Sequence, residues 1–319
     1  MLIGQLVRIS VVTSLLCTAV LLTSCGGTGA SPTGSTPGPA TQASPSGAQH
    51  SFVVIVMEEN HSYEQVIGNS SAPYLNGLAQ QGALATQYYA DAHPSIGNYF
   101  ALTTGALQTA DNNFPGPLSA DNLARELVAS GKTWKVYAED LPSVGYLGTT
   151  IGNYIKHHNP FAYFSDIVSN PSQAANIVPF TQWMSDVNAG ALPDFAFVIP
   201  NSTDDGHSCL TGTTCSDNEL LTRADQWLKT SVAPLLASTR FQSSGLLLIV
   251  FDESNTADIR NGGGRVPLIA FGPRAKSGTQ STAMYKHENT LKSVCTVLAV
   301  PACPGAAASM GAEDDLIQP

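Results

Sequence analysis

Two strongly apolar segments of this chain are followed directly by acidic residues, and this arrangement restricts the fold more than any other feature. The segments are FVVIVM at 52–57, followed by Glu58, Glu59 and Asn60, and LLLIVF at 246–251, followed by Asp252 and Glu253. Continuous apolar runs of this length are typical of strands buried on both faces of a parallel sheet. In open α/β sheets, ligands bind outside the carboxyl ends of the strands. These acids therefore predict a functional site at that edge.

The rest of the chain alternates between the patterns of strands and helices. Further strands are predicted at 85–89, 133–138, 195–200 and 266–271, and helices at 73–81, 95–104, 121–130, 218–236 and 288–300, the fourth of them bent before Pro234. Such alternation is typical of a mostly parallel sheet with helices on both faces. Hydrophobic residues make up 43% of the chain, which is enough for a large core. We expect the α/β class, with residues 51–319 forming one domain.

The first 50 residues lack the pattern of a folded core. Residues 1–25 carry one arginine, an apolar stretch and then small residues, which indicates a secretory signal. Their last four residues, LTSC, resemble a bacterial lipobox, which implies cleavage before Cys25 and acylation of its thiol. An uncleaved anchor helix and cleavage at another small residue are the alternatives. Residues 26–50 consist mainly of Gly, Ser, Thr, Pro and Ala and predict a flexible tether. We expect an exported lipoprotein, anchored to a membrane through Cys25 and facing the periplasm or the cell exterior.

Cysteine usage agrees with export. Beyond residue 25, four cysteines form two close pairs along the chain, Cys209 with Cys215 and Cys295 with Cys303. An even number of cysteines in an oxidising compartment favours disulfides, and we expect each close pair to form one. A zinc site is the alternative, but neither pair has the two-residue spacing that structural zinc ligands prefer.

The charge of the chain argues against one class of partner. The net charge is −10, with only 14 Lys and Arg residues and no basic run. Because proteins that follow nucleic-acid backbones need clustered cations, we expect no nucleic-acid partner. We also expect a monomer.

Ser95 is the candidate nucleophile. Pro94 disfavours helical conformation at His93, so the helix is predicted to begin at or after Ser95. A hydroxyl there lies near the positive end of a helix, where phosphate groups bind, and metal coordination would lower its pKa. The alternative is a helix N-cap, a position at which serine is common. The oxygens of Glu59 and Asn60 suit a divalent cation, with a solvated turn as the alternative.

Further candidates lie in three other segments. Asp252-Glu253 ends an otherwise apolar strand, so these carboxylates need partners, and a metal ion would supply one. Asp205 and His207 lie in the loop after the strand at 195–200. They are candidates for metal binding or proton transfer, with a plain polar loop as the alternative. His158 and His287, taken singly, are ordinary surface or capping residues.

Six motifs occur in a definite order across the chain. They are Glu59-Asn60, DAHPSIGNYFALTTG at 91–105, YAED at 137–140, HNPF at 158–161, PNSTDDGH at 200–207 and FDES at 251–254. This series resembles the bacterial phosphoesterase family, which includes acid phosphatases and non-zinc phospholipases C and belongs to the alkaline-phosphatase-like superfamily. The resemblance implies a three-layer sandwich with a mostly parallel central sheet. The family commonly has proline where this chain has Gly97, and glycine in a helix costs about 1 kcal/mol relative to alanine.

The resemblance also implies roles for single residues. Five residues would hold a divalent metal ion of unknown identity, with the serine also acting as nucleophile: Glu59, Asn60, Ser95, Asp252 and Glu253. Three more occupy positions of a possible second metal site, or of groups that contact phosphate and protonate the leaving group: Asp205, His207 and His287. His93 and His158 would line the pocket.

These observations predict an exported, metal-dependent phosphoesterase with a serine nucleophile, most simply an acid phosphatase. Its expected ligand is a small phosphate ester or a phospholipid head group. A phospholipase C-type phosphodiesterase and a non-catalytic surface lipoprotein are the alternatives. Sulfatase chemistry is disfavoured, because SIGNY at 95–99 lacks the Pro and Arg of the sulfatase signature.

Overall fold

The computed structural model describes residues 51–319. The predicted signal peptide, the predicted tether and the predicted acylation of Cys25 lie outside the described residues. Within residues 51–319, no helix combines the length and the apolar character that a membrane span requires.

The centre of the fold is a sheet of eight strands. They are β1 (Phe52–Glu58), β2 (Ala83–Tyr89), β3 (Trp134–Ala138), β4 (Ile177–Pro179), β5 (Phe195–Ile199), β6 (Gly245–Phe251), β7 (Arg265–Phe271) and β8 (Thr279–Tyr285). Their order across the sheet is β4-β3-β5-β1-β6-β7-β2-β8. Only β7 runs antiparallel to its neighbours β6 and β2. The carboxyl ends of the other seven strands therefore share one edge of the sheet, which we call the catalytic edge.

Ten α-helices accompany these strands. They are α1 (Tyr63–Val66), α2 (Pro73–Gln81), α3 (Ile96–Thr104), α4 (Leu123–Ala129), α5 (Ser165–Val168), α6 (Pro171–Ala174), α7 (Trp183–Ala189), α8 (Asp217–Ala237), α9 (Thr239–Ser244) and α10 (His287–Val297). Every residue of β1 and β6 is buried, so both faces of the sheet are covered at its centre. The expected α/β class and mostly parallel sheet are confirmed.

The predicted strands and longer helices are all present, with ends shifted by a few residues. Two strands were not predicted, and both lie at the margins of the sheet. β4 has only three residues, and in β8 only Ser281 and Tyr285 are buried. An edge strand buries little, so it lacks the apolar pattern that identifies a strand from sequence. The helix predicted around Pro234 is α8, which contains that proline in its interior.

Both predicted disulfides are confirmed. Cys209 and Cys215 are joined with their Cα atoms 5.6 Å apart, and Cys295 and Cys303 with theirs 5.9 Å apart. The first closes a short loop after β5, near the catalytic edge. The second joins Cys295, within α10, to Cys303 in the segment after this helix.

The described chain begins at the sheet edge opposite the catalytic edge. Phe52, the first residue of β1, pairs with Gly245, the first residue of β6. The Ser51 hydroxyl accepts a hydrogen bond from Arg274 Nη2 over 2.6 Å, just beyond β7. The amino terminus of the domain is thereby held one strand length away from the acids that follow β1.

Candidate active site

Ser95 lies between two carboxylates at the start of α3. Its Oγ is 3.2 Å from Glu59 Oε2 and 3.4 Å from Glu253 Oε1. Ser95 occupies the N-cap position, but its hydroxyl makes no capping hydrogen bond to the helix. The first helical amide, that of Ile96, donates instead to Asn112 Oδ1 over 3.1 Å. The serine hydroxyl is therefore directed at the acids and not used to stabilise the helix.

The acids after β1 and β6 meet because these strands are neighbours. Successive side chains of a strand point to opposite faces, so Glu58 and Glu59 diverge, and Glu59 lies with Ser95. The backbone N–H of Asn60 donates to Asp252 Oδ1 over 3.2 Å and connects the two strand ends. Burial raises the pKa of both Glu59 and Asp252 well above the usual range, and a nearby carboxylate adds to the effect, Asp252 in the case of Glu59 and Glu253 in the case of Asp252. Burial raises the pKa of Glu253 to about 7.

Glu59 is surrounded by hydrogen-bond donors. The Tyr99 hydroxyl donates to its Oε1 over 2.5 Å, and the Asn60 amide donates to its Oε2 over 2.7 Å. His158 Nε2 lies 3.2 Å from Oε1, and the His158 ring stacks on Tyr99 with centroids 5.2 Å apart. Burial lowers the pKa of His158 to about 3, so this imidazole is neutral. Together these groups fix the orientation of the Glu59 carboxylate.

His93 forms a close pair with Glu253. Its Nδ1 lies 2.8 Å from Glu253 Oε2, and its Nε2 lies 3.0 Å from the carbonyl oxygen of Asp258. A carbonyl only accepts, so Nε2 donates. The contact at Nδ1 connects this ring to the Glu253 carboxyl group next to Ser95.

Asp205 and His207 lie together in the loop after β5. The backbone N–H of His207 donates to Asp205 Oδ1 over 2.8 Å. The other oxygen, Oδ2, is 3.5 Å from His158 Nδ1 and has no hydrogen-bond partner. Burial raises the pKa of Asp205 to about 7. The His207 side chain is exposed, so it can reach a ligand from the solvent side.

His287 lies elsewhere on the catalytic edge, and its contacts are with Asp91. Its Nδ1 is 3.1 Å from Asp91 Oδ2, while Lys286 Nζ is 2.8 Å from Asp91 Oδ1. Burial opposes ionisation of Asp91, but the hydrogen bonds and charges of these two residues outweigh it and lower its pKa. The structure thus brings Asp205 and His207 together, but pairs His287 with Asp91. Sequence reasoning missed both Asp91 and Tyr99 as site residues.

The residues of the predicted metal site fit a hard divalent cation by their chemistry. Within residues 51–319, no three His, Cys, Asp or Glu side chains form a ready metal cluster as they stand. Glu59, Asp252 and Glu253 are nevertheless buried, and no lysine or arginine of the described chain pairs with them. Asp252 Oδ2 is buried without a hydrogen-bond partner. Such a group of oxygen ligands suits a cation of the Mg²⁺ or Ca²⁺ type.

Comparison with known proteins identifies the family. A model of the phosphoesterase family matches residues 69–301, which is most of the chain. The chain belongs to the phosphoesterase family.

Two relatives of this phosphoesterase illustrate the range of the family. It is 33% identical over 251 residues to the phosphatidylinositol-3-phosphatase of Mycobacterium tuberculosis, covering 78% of this chain and 77% of that protein. It is 32% identical over 257 residues to a probable acid phosphatase of Kluyveromyces lactis, covering 78% of this chain and 58% of that protein. The matched region is thus more than half, but less than two thirds, of the yeast protein.

Solved structures show the same fold at low sequence identity. A protein of the alkaline phosphatase superfamily from Vibrio parahaemolyticus superimposes with a TM-score of 0.55 and 14% identity, covering 80% of this chain and 68% of that chain. The likeness confirms the expected alkaline-phosphatase-like architecture.

Proposed function

We propose that this phosphoesterase hydrolyses phosphate monoesters through Ser95, as an acid phosphatase does. The observation that carries the proposal is the position of the Ser95 hydroxyl, within 3.4 Å of both Glu59 and Glu253 at the start of α3. Membership in the phosphoesterase family and the two named phosphatase relatives support the same reaction class. A non-catalytic lipoprotein would have no reason to direct a serine hydroxyl at buried carboxylates.

In the proposed reaction, Ser95 Oγ attacks the phosphorus atom in line with the leaving oxygen. The hydroxyl proton passes to Glu59 or Glu253, whose oxygens it already faces. The bond between phosphorus and the leaving oxygen breaks, and exposed His207 donates a proton to the departing alkoxide. Water then cleaves the phosphoserine and releases phosphate. His158 and Tyr99 keep Glu59 oriented throughout.

A cation completes this proposal. Glu59, Asn60, Asp252 and Glu253 would hold it together with Ser95, and it would stabilise negative charge on the phosphoryl group and favour the serine alkoxide. Without positive charge, the buried carboxylates would repel a phosphate ester. We propose that the enzyme depends on a divalent metal ion for this reason.

We also propose that the enzyme is exported. Its two disulfides support an oxidising compartment, in which such bonds persist. Attachment through a lipid at Cys25 remains a prediction from the sequence.

The test compares Ser95→Ala with Ser202→Ala, a second buried serine on the catalytic edge. The substrates are p-nitrophenyl phosphate and p-nitrophenyl phosphorylcholine. We expect Ser95→Ala to lower kcat for the monoester by about 10³-fold or more, and Ser202→Ala to stay near the wild-type rate. A chelator should reduce wild-type activity, and a divalent metal should restore it. Acid quenching should trap phosphate on Ser95, detected by mass spectrometry.

Wild-type turnover by Ser95→Ala would overturn the nucleophile assignment. Cleavage of the choline diester alone would replace the monoesterase proposal with a phospholipase C-type activity. Full activity after metal removal, verified by elemental analysis, would contradict the metal dependence.

A further inference from the structure

An arginine of α8 closes the loop that carries His207. The Nη1 group of Arg223 donates to the carbonyl oxygen of Thr203 over 3.0 Å and to that of Ser208 over 3.2 Å. This group carries two hydrogens and a carbonyl only accepts, so the direction of both bonds is fixed. The half-buried guanidinium of Arg223 thus connects the two ends of the segment 203–208, which we call the histidine loop.

The histidine loop is attached directly to the end of β1. The backbone N–H of Glu59 donates to the Asp205 carbonyl oxygen over 2.8 Å. Gly206 has a φ of +95°, and a Cβ at this position would lie only 3.3 Å from the Glu59 carbonyl oxygen. The loop therefore packs on the backbone of a residue whose side chain contacts Ser95. A shift of the loop would change the position of His207 relative to this serine.

The position of the His207 ring depends on the loop itself. The side chain is exposed, and its Nδ1 lies 3.1 Å from the Ser208 hydroxyl, within the same loop. The backbone N–H of Ser208 donates to the Ser202 carbonyl oxygen over 2.8 Å, and its carbonyl oxygen accepts from Arg223. Functional side chains on loops need a rigid scaffold to hold them, and α8 supplies it here through Arg223.

We propose that Arg223 is a positioning residue for the step in which the leaving group departs. It holds the histidine loop against β1, so that His207 lies where it can donate a proton to the departing oxygen. The proposal rests on the proton transfer from His207 proposed above, and Arg223 acts in it without touching the substrate. Because a misplacement of about 1 Å can cost roughly 100-fold in rate, two hydrogen bonds to this loop can affect turnover.

The test compares two substrates that differ in their need for a proton. p-Nitrophenolate leaves readily as an anion, whereas phenolate is a poorer leaving group and gains more from a general acid. For each variant, kcat/KM is measured with p-nitrophenyl phosphate and with phenyl phosphate. Arg223→Met removes both hydrogen bonds and keeps the apolar stem of the side chain. If this variant does not fold, Arg223→Gln takes its place, since its shorter side chain cannot reach both carbonyls.

Arg240→Met is the matched control. Arg240 Nη1 also donates to a backbone carbonyl, that of Gly190, over 2.9 Å. Gly190 follows α7 and precedes β5, so this contact lies at the edge of the sheet opposite the catalytic edge.

We expect the two substrates to respond differently to Arg223→Met. The value of kcat/KM for phenyl phosphate should fall by about 10–100-fold, the usual cost of losing a group that orients a functional residue. The value for p-nitrophenyl phosphate should fall far less, and Arg240→Met should keep both values. Equal losses for the two substrates, or wild-type values for both, would overturn the positioning role.

A double variant tests whether Arg223 acts through His207. In a His207→Ala background, Arg223→Met should cause no further loss with phenyl phosphate, because two residues that act as one unit are not additive. A further loss as large as that in the wild-type background would contradict the proposal.

Amide hydrogen exchange separates this proposal from the monoesterase function. In the Ser95→Ala protein, Arg223→Met should speed exchange of the His207 and Ser208 amides, and Arg240→Met should leave their exchange unchanged. Faster exchange would support the hold of Arg223 on the loop, even if Ser95→Ala retained wild-type turnover and the proposed nucleophile failed. Unchanged exchange of both amides in Arg223→Met would refute the positioning role whatever the reaction.

Discussion

Replacing Tyr99 by phenylalanine tests whether the hydroxyl that holds Glu59 serves the reaction or only the fold. This hydroxyl donates to Glu59 Oε1 over 2.5 Å in the interior, and the ring stacks on His158. Phenylalanine keeps the ring and removes only the hydrogen bond. A hydrogen bond contributes about 1 kcal/mol to protein stability when its acceptor is uncharged, and up to about 3 kcal/mol when its acceptor is charged. We therefore expect the substitution to lower the free energy of unfolding, measured by urea denaturation, by an amount within that range.

The same substitution should lower activity. Without the hydroxyl, Glu59 Oε1 keeps only the contact with His158 Nε2 at 3.2 Å. Loss of a group that orients a ligand or catalytic residue typically costs about 10–100-fold, so we expect kcat/KM for p-nitrophenyl phosphate to fall by that factor. Tyr137→Phe is the control, because the buried Tyr137 hydroxyl also donates to a carboxylate, that of Asp186 on α7, over 2.7 Å. Equal losses of stability in the two variants, with wild-type kcat/KM in both, would refute the reasoning.

Three further predictions concern stability. Burial raises the pKa of Glu313 to about 7, so its protonated carboxyl should stabilise the fold fully below about pH 4.5 and lose this effect, on the order of 3 kcal/mol in all, as the pH rises to about 7. Glu313→Gln should remove this part of the pH dependence of the free energy of unfolding, measured by urea titration, and an unchanged pH dependence would exclude this carboxyl as its source. Asp91→Asn should lower the free energy of unfolding by about 1–3 kcal/mol at pH 7, because the variant loses the contact of the Asp91 carboxylate with His287. Since the pKa of Asp91 is lowered in the fold, the difference from wild type should shrink below pH 4, and a difference that stays constant in urea titrations across pH would contradict this. Replacing Cys295 and Cys303 together by alanine should cost about 2.5 kcal/mol, the loop-entropy value for so short a loop, and thermal unfolding that matches wild type would contradict it.

The contacts around Ser95 follow from features visible in the sequence. Apolar runs that end in acids predicted β1 and β6, and the pairing of these strands brings Glu59, Asp252 and Glu253 together at one edge. The family and the fold were predicted from motif order and are confirmed. Tyr99 could also have been found, because it lies four residues after Ser95 and therefore on the same face of α3. The metal, the export and the reaction itself remain predictions.

The pairing of Asp91 with His287 could not be predicted in this way. These residues are 196 positions apart, and they meet only because β2 and β8 are neighbours in the sheet. β8 (TQSTAMY) has no apolar alternation, so neither the strand nor the register that places His287 beside Asp91 was visible. The surroundings of Gly97 could not be predicted from the sequence either. A Cβ at this position would lie 3.2 Å from the Thr109 carbonyl oxygen, a contact set by the chain beyond α3.

The position of Ser51 determines how the domain can be attached to a support. β1 runs from Phe52 to Glu58 and spans about 20 Å at the usual rise of a strand. A bead, an electrode or a fused protein linked ahead of Ser51 would therefore be held at the edge opposite Ser95. Immobilised in this orientation, every molecule in a layer would present its catalytic edge to the flowing solution.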